Sequence, residues 1–219
     1  MQIRIVSRGS LLDYQKQTES ADCEAFADVV VFPFGGVGEV SYDRELKGES
    51  GYFEAAATLS KRARVTVVCG CITDTRGHKR KSAIVAQQGK IVGVSDMLYA
   101  VDEESSSGVT LSVYETAVGK MGVVVAGDIR AYETVRALAL CGCDFLVCVQ
   151  ERYQNVHSAL IRAWAYCLGV PVVLSADGYA GAADESGTLA FSSPQDVSQL
   201  EIIPSKEYHL VQTRRRGKR

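Results

Sequence analysis

A group of charged and aromatic side chains follows an apolar run in the middle of the chain. Residues 121–126 are apolar, and Asp128, Arg130, Tyr132 and Glu133 come shortly after them. Carboxylate and guanidinium groups at a strand end can bind an amide, a carboxylate or a phosphate. The same charges can instead pair with one another and stabilise the start of the next helix, where acidic groups are favourable. We prefer this structural interpretation and keep a ligand site as the alternative.

Thiols are the other candidates for chemistry, since the chain has 7 cysteines and 3 histidines. Two Cys-Gly-Cys triplets occur at 69–71 and 141–143, but they lack the two-residue spacing of common zinc sites, and no histidine is close in sequence. We therefore expect no metal site and no cofactor, and we interpret most thiols as small buried apolar groups. A cysteine nucleophile such as Cys148 would need a histidine brought in by tertiary contacts.

Alternating strands and helices must position these groups. The almost continuous apolar runs at 28–33 and 171–176 predict strands that are covered on both faces. The glycine-rich loop at 34–38 lacks the spacing and the Lys-Ser/Thr pair of a P-loop, so it predicts a tight turn. A small-residue loop is predicted at 179–187. The other predicted strands are 2–6, 65–71, 81–86, 90–95, 109–115, 121–126, 145–149, 189–192, 201–203 and 208–212, and the predicted helices are 11–27, 50–64, 131–141 and 155–168.

One α/β domain over residues 1–213, followed by a basic tail at 214–219, accounts for this alternation. A net charge of −2 gives no overall attraction to nucleic acid or to an anionic membrane. The longest apolar runs are too short to cross a bilayer, and the N-terminus lacks a signal pattern, so we expect a cytoplasmic protein. The tail is interpreted as solvated, with phosphate or nucleic-acid binding through it as the alternative.

Four segments, taken in order, resemble the nitrilase superfamily of carbon–nitrogen hydrolases. They are DVVVFP at 28–33, KSAIVAQQGKIVGV at 81–94, GVVVAGDIR at 122–130 with ALALCGCDFLV after it, and HSALIRAWAYCLGVPVVLSA at 157–176. Each segment alone is a weak signal, but four in order at family-like spacing are specific for a fold. The resemblance implies a shortened form of the four-layer α-β-β-α sandwich of that superfamily.

The resemblance also assigns the positions of the family's catalytic residues. The family uses a glutamate as general base, a lysine that stabilises negative charge and a cysteine nucleophile. In this chain those positions are Phe34, Met97 and Ala126. None of these side chains can perform the corresponding step, and we expect them to fill part or all of the former active site. The resemblance thus implies a non-catalytic binding or scaffold protein.

Two further expectations follow from the resemblance. The alternative function is a divergent amidohydrolase that acts on a small amide, nitrile or N-carbamoyl compound through a rewired site near Asp128, Tyr132 and Glu133. Members of the family usually dimerise through helices around the nucleophile region, so we expect a homodimer. Its candidate contact residues on helices 131–141 and 155–168 are Ala137, Leu138, Ile161 and Trp164.

Overall fold

Two β-sheets pack face to face in the computed structural model, which describes residues 1–19, 27–100 and 105–203. The first sheet contains β1 (Gln2–Val6), β2 (Val29–Phe32), β3 (Gly38–Ser41), β4 (Thr66–Thr75), β5 (His78–Gln87), β6 (Lys90–Asp96) and β13 (Val197–Glu201). The second contains β7 (Val113–Thr116), β8 (Gly119–Val125), β9 (Phe145–Arg152), β10 (Val172–Asp177), β11 (Tyr179–Ala183) and β12 (Leu189–Ser193).

Both sheets are mixed, with a parallel centre. The first has the order β13-β1-β2-β4-β5-β6, with β3 also beside β4, and the second has the order β12-β11-β10-β9-β8-β7. Strands β1, β2 and β4 are parallel to one another, as are β8, β9 and β10. Parallel neighbours bring their carboxyl ends to the same edge of a sheet, and that edge is where open α/β folds bind ligands.

Helices cover the outer face of each sheet. The helices are α1 (Leu11–Glu19), α2 (Tyr42–Leu46), α3 (Tyr52–Ala63), α4 (Tyr132–Leu140) and α5 (Asn155–Leu168). Apolar residues of α1 and α3 pack on the first sheet, and those of α4 and α5 pack on the second. The four layers therefore follow the order α-β-β-α, as the resemblance implied.

The alternation of side chains along β9 shows why the strands are apolar throughout. Leu146 and Cys148 pack against α4 and α5, whereas Phe145, Val147 and Val149 face the other sheet. Successive side chains of a strand point to opposite faces, and here both faces are buried. The unbroken apolar runs in the sequence thus predicted the central strands correctly.

Several predicted elements differ from the structure. Residues 179–187 were expected to form a loop, but Tyr179–Ala183 is a strand paired antiparallel with β10. Small residues suit this strand because the Tyr179 ring lies over Gly181, where a Cβ would approach it to 2.8 Å. Among the described residues the last strand is Val197–Glu201, where 201–203 was predicted. The predicted strand at 208–212 and the basic tail at 214–219 lie outside the described residues.

The burial of two residues on α4 and α5 contradicts part of the expected dimer contact. Leu138 and Ile161 are fully buried within the chain, between α4, α5 and the second sheet, so they cannot contact a partner. Trp164 is partly buried, and its Nε1 donates a hydrogen bond to the Ile129 carbonyl at 2.8 Å. The apolar face of these amphipathic helices therefore packs against the second sheet of the same chain.

Candidate functional site

A cavity of about 450 Å³, called here the central cavity, lies at the carboxyl ends of the parallel strands β8 and β9. It lies where β8 and β9 end, where the chain leaves β6 and where α5 begins. Ten residues line it: Lys81, Met97, Ala126, Gly127, Arg130, Gln150, Glu151, Arg152, Gln154 and His157. Seven of these ten residues carry an ionisable or amide side chain, so the lining is mainly polar.

Ala126 occupies a sharp turn directly after β8. It begins the 3₁₀ turn Ala126–Arg130 and has a φ of 45°, in the left-handed region that non-glycine residues rarely adopt. Its carbonyl accepts a hydrogen bond of 2.7 Å from Nε2 of Gln150, whose side chain is buried. Strained backbone of this kind is frequent at functional sites. Here the strained position presents only a methyl group.

Met97 and Phe34 are buried in the same inter-sheet core as Ala126. Met97 lines the central cavity, and its sulfur would lie 3.5 Å from a Cβ added at Gly127. Phe34 borders a second, neighbouring cavity of about 510 Å³. Glu151 lines both cavities. The three positions assigned by the resemblance thus lie at adjoining cavities, and their side chains pack into the core while polar groups line the open space.

Asp128 fixes the backbone of the Met97 loop. Its carboxylate accepts hydrogen bonds from the backbone N–H groups of Leu98 at 2.7 Å and Tyr99 at 2.9 Å. Burial raises the pKa of Asp128, and these two hydrogen bonds partly oppose the rise. The expectation that Asp128 pairs with Arg130 is wrong, because the carboxylate is engaged by the loop instead. Its role in this arrangement is structural.

The other predicted site residues have separate environments. Arg130 lines the central cavity and donates a hydrogen bond of 2.8 Å to Oε1 of Gln154. Tyr132 packs its ring against Trp164, with the ring centroids 5.3 Å apart. Glu133 is exposed in the first turn of α4. The structure therefore brings Arg130 to the central cavity, whereas Tyr132 and Glu133 are not among the residues that line it.

Most of the polar lining was missed by sequence reasoning. Lys81 on β5 lies 3.2 Å from Glu151 at the end of β9, a pair separated by 70 residues in the chain. Glu151 and Arg152 belong to β9, which continues three residues beyond its predicted end at residue 149. The polar run Gln-Glu-Arg directly after an apolar strand was the available signal.

His157 combines a structural bond with an unused ring nitrogen. It is buried, and its Nδ1 accepts a hydrogen bond of 3.3 Å from the backbone N–H of Gln154, as part of the capping box of α5. Burial lowers the pKa of His157, and the nearby Arg130 charge lowers it further. Nε2 has no hydrogen-bond partner among the described residues.

Three buried thiols of the described residues are poor candidates for a replacement nucleophile. Cys69, Cys71 and Cys148 are buried in apolar clusters, and burial raises the pKa of each thiol, that of Cys71 to about 12. A thiol with a raised pKa is a poor nucleophile because the thiolate is the reactive form. Within the described ranges, no three His, Cys, Asp or Glu residues form a group that could hold a metal ion. In the same ranges, none of the helices could span a membrane.

Comparisons with known proteins agree with this architecture. The sequence is 27% identical over 123 residues to a probable nitrilase of Schizosaccharomyces pombe. That match covers 52% of this chain but only 44% of the yeast protein. The fold is similar to that of Nit3 from Saccharomyces cerevisiae, a member of the nitrilase superfamily, with a TM-score of 0.77 at 18% identity over 93% of this chain and 90% of Nit3.

A second solved structure and a family model complete the comparison. A nitrilase-superfamily amidase from Nesterenkonia AN1 has a TM-score of 0.75 at 14% identity, covering 95% of this chain and 92% of the amidase. Residues 17–191 match the carbon–nitrogen hydrolase family model, which is well over half of the chain. The chain therefore belongs to the carbon–nitrogen hydrolase family, and it has the four-layer sandwich of the nitrilase superfamily.

Proposed function

We propose that this protein is a non-catalytic carbon–nitrogen hydrolase homologue that binds a small molecule in the central cavity. The observation that carries the proposal is the combination of Phe34, Met97 and Ala126 at the assigned catalytic positions with an open, polar cavity beside two of them. A cavity of about 450 Å³ is within the usual range for small-molecule sites, about 300–1,000 Å³.

The chemistry of the three side chains supports this proposal. Amide hydrolysis through a covalent intermediate needs a nucleophile, a base that accepts its proton and a positive group near the developing negative charge. Methyl, phenyl and thioether groups supply none of these. Their burial is favourable, whereas unpaired charges at the same depth would be costly. Phe34, Met97 and Ala126 therefore stabilise the core but cannot carry out the family's reaction.

A divergent amidohydrolase remains the second candidate because Glu151 and His157 line the same cavity. A carboxylate and a neutral imidazole are the groups that act most often as general bases. In a divergent amidohydrolase of this kind, water would be the nucleophile. The reaction would then not need the site near Asp128, Tyr132 and Glu133 that the sequence suggested. This candidate predicts turnover that depends on Glu151.

The test is a hydrolysis panel of amides, nitriles and N-carbamoyl compounds, with an active amidase of the family as positive control. We expect no release of ammonia or acid above the rate without protein. Turnover that persists through purification would contradict the non-catalytic proposal. If Glu151→Gln then abolished that turnover while an exposed control, Glu133→Gln, preserved it, the second candidate would be supported.

We also propose that the protein is a homodimer in the cytoplasm. The exposed apolar side chains on α4 and α5 are Leu140, Val156 and Tyr166, and these are better contact candidates than the buried residues Leu138 and Ile161. The six cysteines of the described ranges are free thiols, which suits a reducing compartment. Sedimentation equilibrium at micromolar concentration tests the dimer, and a monomer at that concentration would contradict it.

A further inference from the structure

The charges around the central cavity differ in sign from the charge of the chain. The whole sequence carries a net charge of −2, but the cavity lining has three cations, Lys81, Arg130 and Arg152, and one carboxylate, Glu151. Because Lys81 is paired with Glu151 at 3.2 Å, the two guanidinium groups account for the excess positive charge. A local positive field of this kind attracts anions into a cleft.

The N-terminus of α5 adds to this field. The helix has 14 residues and begins at Asn155, and its N-cap residue, Gln154, lines the cavity. Helix N-termini favour negative charge because their backbone dipoles point in one direction. Gln154 also accepts a hydrogen bond from Arg130, which holds that guanidinium group beside the cavity.

His157 supplies an independent sign of a ligand. Its side chain is 2% exposed, lines the cavity and has its Nδ1 engaged as an acceptor by the Gln154 backbone N–H. A neutral ring whose Nδ1 accepts must carry its proton on Nε2. That N–H has no acceptor among the described residues, although buried donors almost always have one. A ligand oxygen in the cavity would provide that acceptor.

We propose that the central cavity binds a small organic carboxylate, held by Arg130, Arg152 and the Nε2–H of His157, with its apolar part against Met97 and Ala126. The guanidinium fork matches the two oxygens of a carboxylate. The apolar wall and the single nearby carboxylate of Glu151 favour a singly charged organic anion over a phosphate dianion. This inference rests on the proposed binding function and names its ligand class.

Calorimetric titration with butyrate, butyramide and inorganic phosphate tests the inference. Butyrate and butyramide have nearly the same shape and differ in charge. We expect butyrate to bind with a dissociation constant of about 1 mM or below, and butyramide to bind at least about tenfold more weakly. Arg130→Gln and Arg152→Gln should each weaken butyrate binding about tenfold.

The matched control is Arg136→Gln, because Arg136 is exposed on α4 and does not line the cavity. It should leave butyrate affinity unchanged, and thermal unfolding of all three variants establishes that each is folded. His157→Gln is a further variant that should weaken butyrate. Loss of affinity in the cavity variants alone would support the site.

Three results would overturn the inference, and they separate it from the proposed function. Equal binding of butyramide and butyrate would leave a binding protein without anion recognition. Binding of phosphate in preference to butyrate would make the ligand class wrong. Absence of binding by all three probes would refute the carboxylate site. Hydrolysis of butyramide, in contrast, would contradict the non-catalytic function while leaving the anion site intact.

Discussion

The left-handed turn at Ala126 leads to a prediction about stability. We consider the substitution Ala126→Gly, which removes the methyl group at the position that the family resemblance assigns to the nucleophile. The residue is 5% exposed and has a φ of 45°. Glycine adopts this conformation without the steric cost that a Cβ imposes. The substitution therefore has opposing effects that can be estimated separately.

The expected change in the free energy of unfolding is small. Relief of the left-handed conformation is favourable by about 1–2 kcal/mol. Loss of one buried methyl costs about 0.8 kcal/mol, and the greater freedom of glycine in the unfolded chain costs about 0.5–1 kcal/mol. We expect Ala126→Gly to remain within about 1 kcal/mol of the wild type. The matched control, Ala56→Gly, has no strain to relieve and should cost about 2 kcal/mol, because Ala56 is fully buried inside α3.

Equilibrium unfolding in urea, followed by circular dichroism, measures both variants. The two should share the wild-type slope against denaturant, so that the difference in midpoint reports stability. A cost at Ala126 as large as that at Ala56 would refute the argument that the turn is strained. A two-state transition for each variant is the necessary control.

Three other outcomes are expected. Asp128→Asn should cost about 2 kcal/mol at neutral pH, because one loop N–H loses its carboxylate acceptor. Since burial raises the pKa of Asp128, its contribution to wild-type stability falls as pH rises from 3.8 through that pKa, and urea unfolding of the Asn variant should lack this pH dependence. As pH falls below 6.5, the wild type should lose stability, because the lowered pKa of His157 makes the unfolded chain bind the proton before the folded chain does. The variant His157→Gln should lack this loss, and equal pH profiles of the two proteins would contradict the argument. In native protein, mass spectrometry should find exposed Cys141 and Cys167 alkylated faster at pH 8 than Cys71, whose pKa is about 12.

Much of the fold could be predicted because its signals are local. Residues 145–149 and 172–176 are apolar except for Ser175, and short runs of this kind favour strands that are covered on both faces. Where a strand is made of small residues and is held by pairing with its neighbour, prediction failed. Residues 179–183 appear loop-like from their small side chains, yet they form β11 because Tyr179 covers Gly181 and the backbone pairs with β10.

The site shows the same division. The family resemblance assigned Phe34, Met97 and Ala126 to the catalytic positions because the surrounding strands and turns carry recognisable patterns. It did not predict that Asp128 would hold the Met97 loop, since that contact joins residues about thirty positions apart through backbone N–H groups. It also did not predict the Lys81–Glu151 pair, which depends on two sheets meeting at one edge.

The sequence by itself determined the alternation of strands and helices, which is a property of residue type and periodicity. Its resemblance to the family implied the four-layer architecture and the assignment of Phe34, Met97 and Ala126 to the three catalytic positions. Only the tertiary structure decided that an open, positively charged cavity lies beside Met97 and Ala126. That cavity depends on how β5 and the ends of β8 and β9 converge with the start of α5. The tertiary structure also placed at this cavity a buried His157 ring nitrogen that lacks a partner in the described chain. Local patterns contain no information about such convergence, because it results from the packing of distant segments.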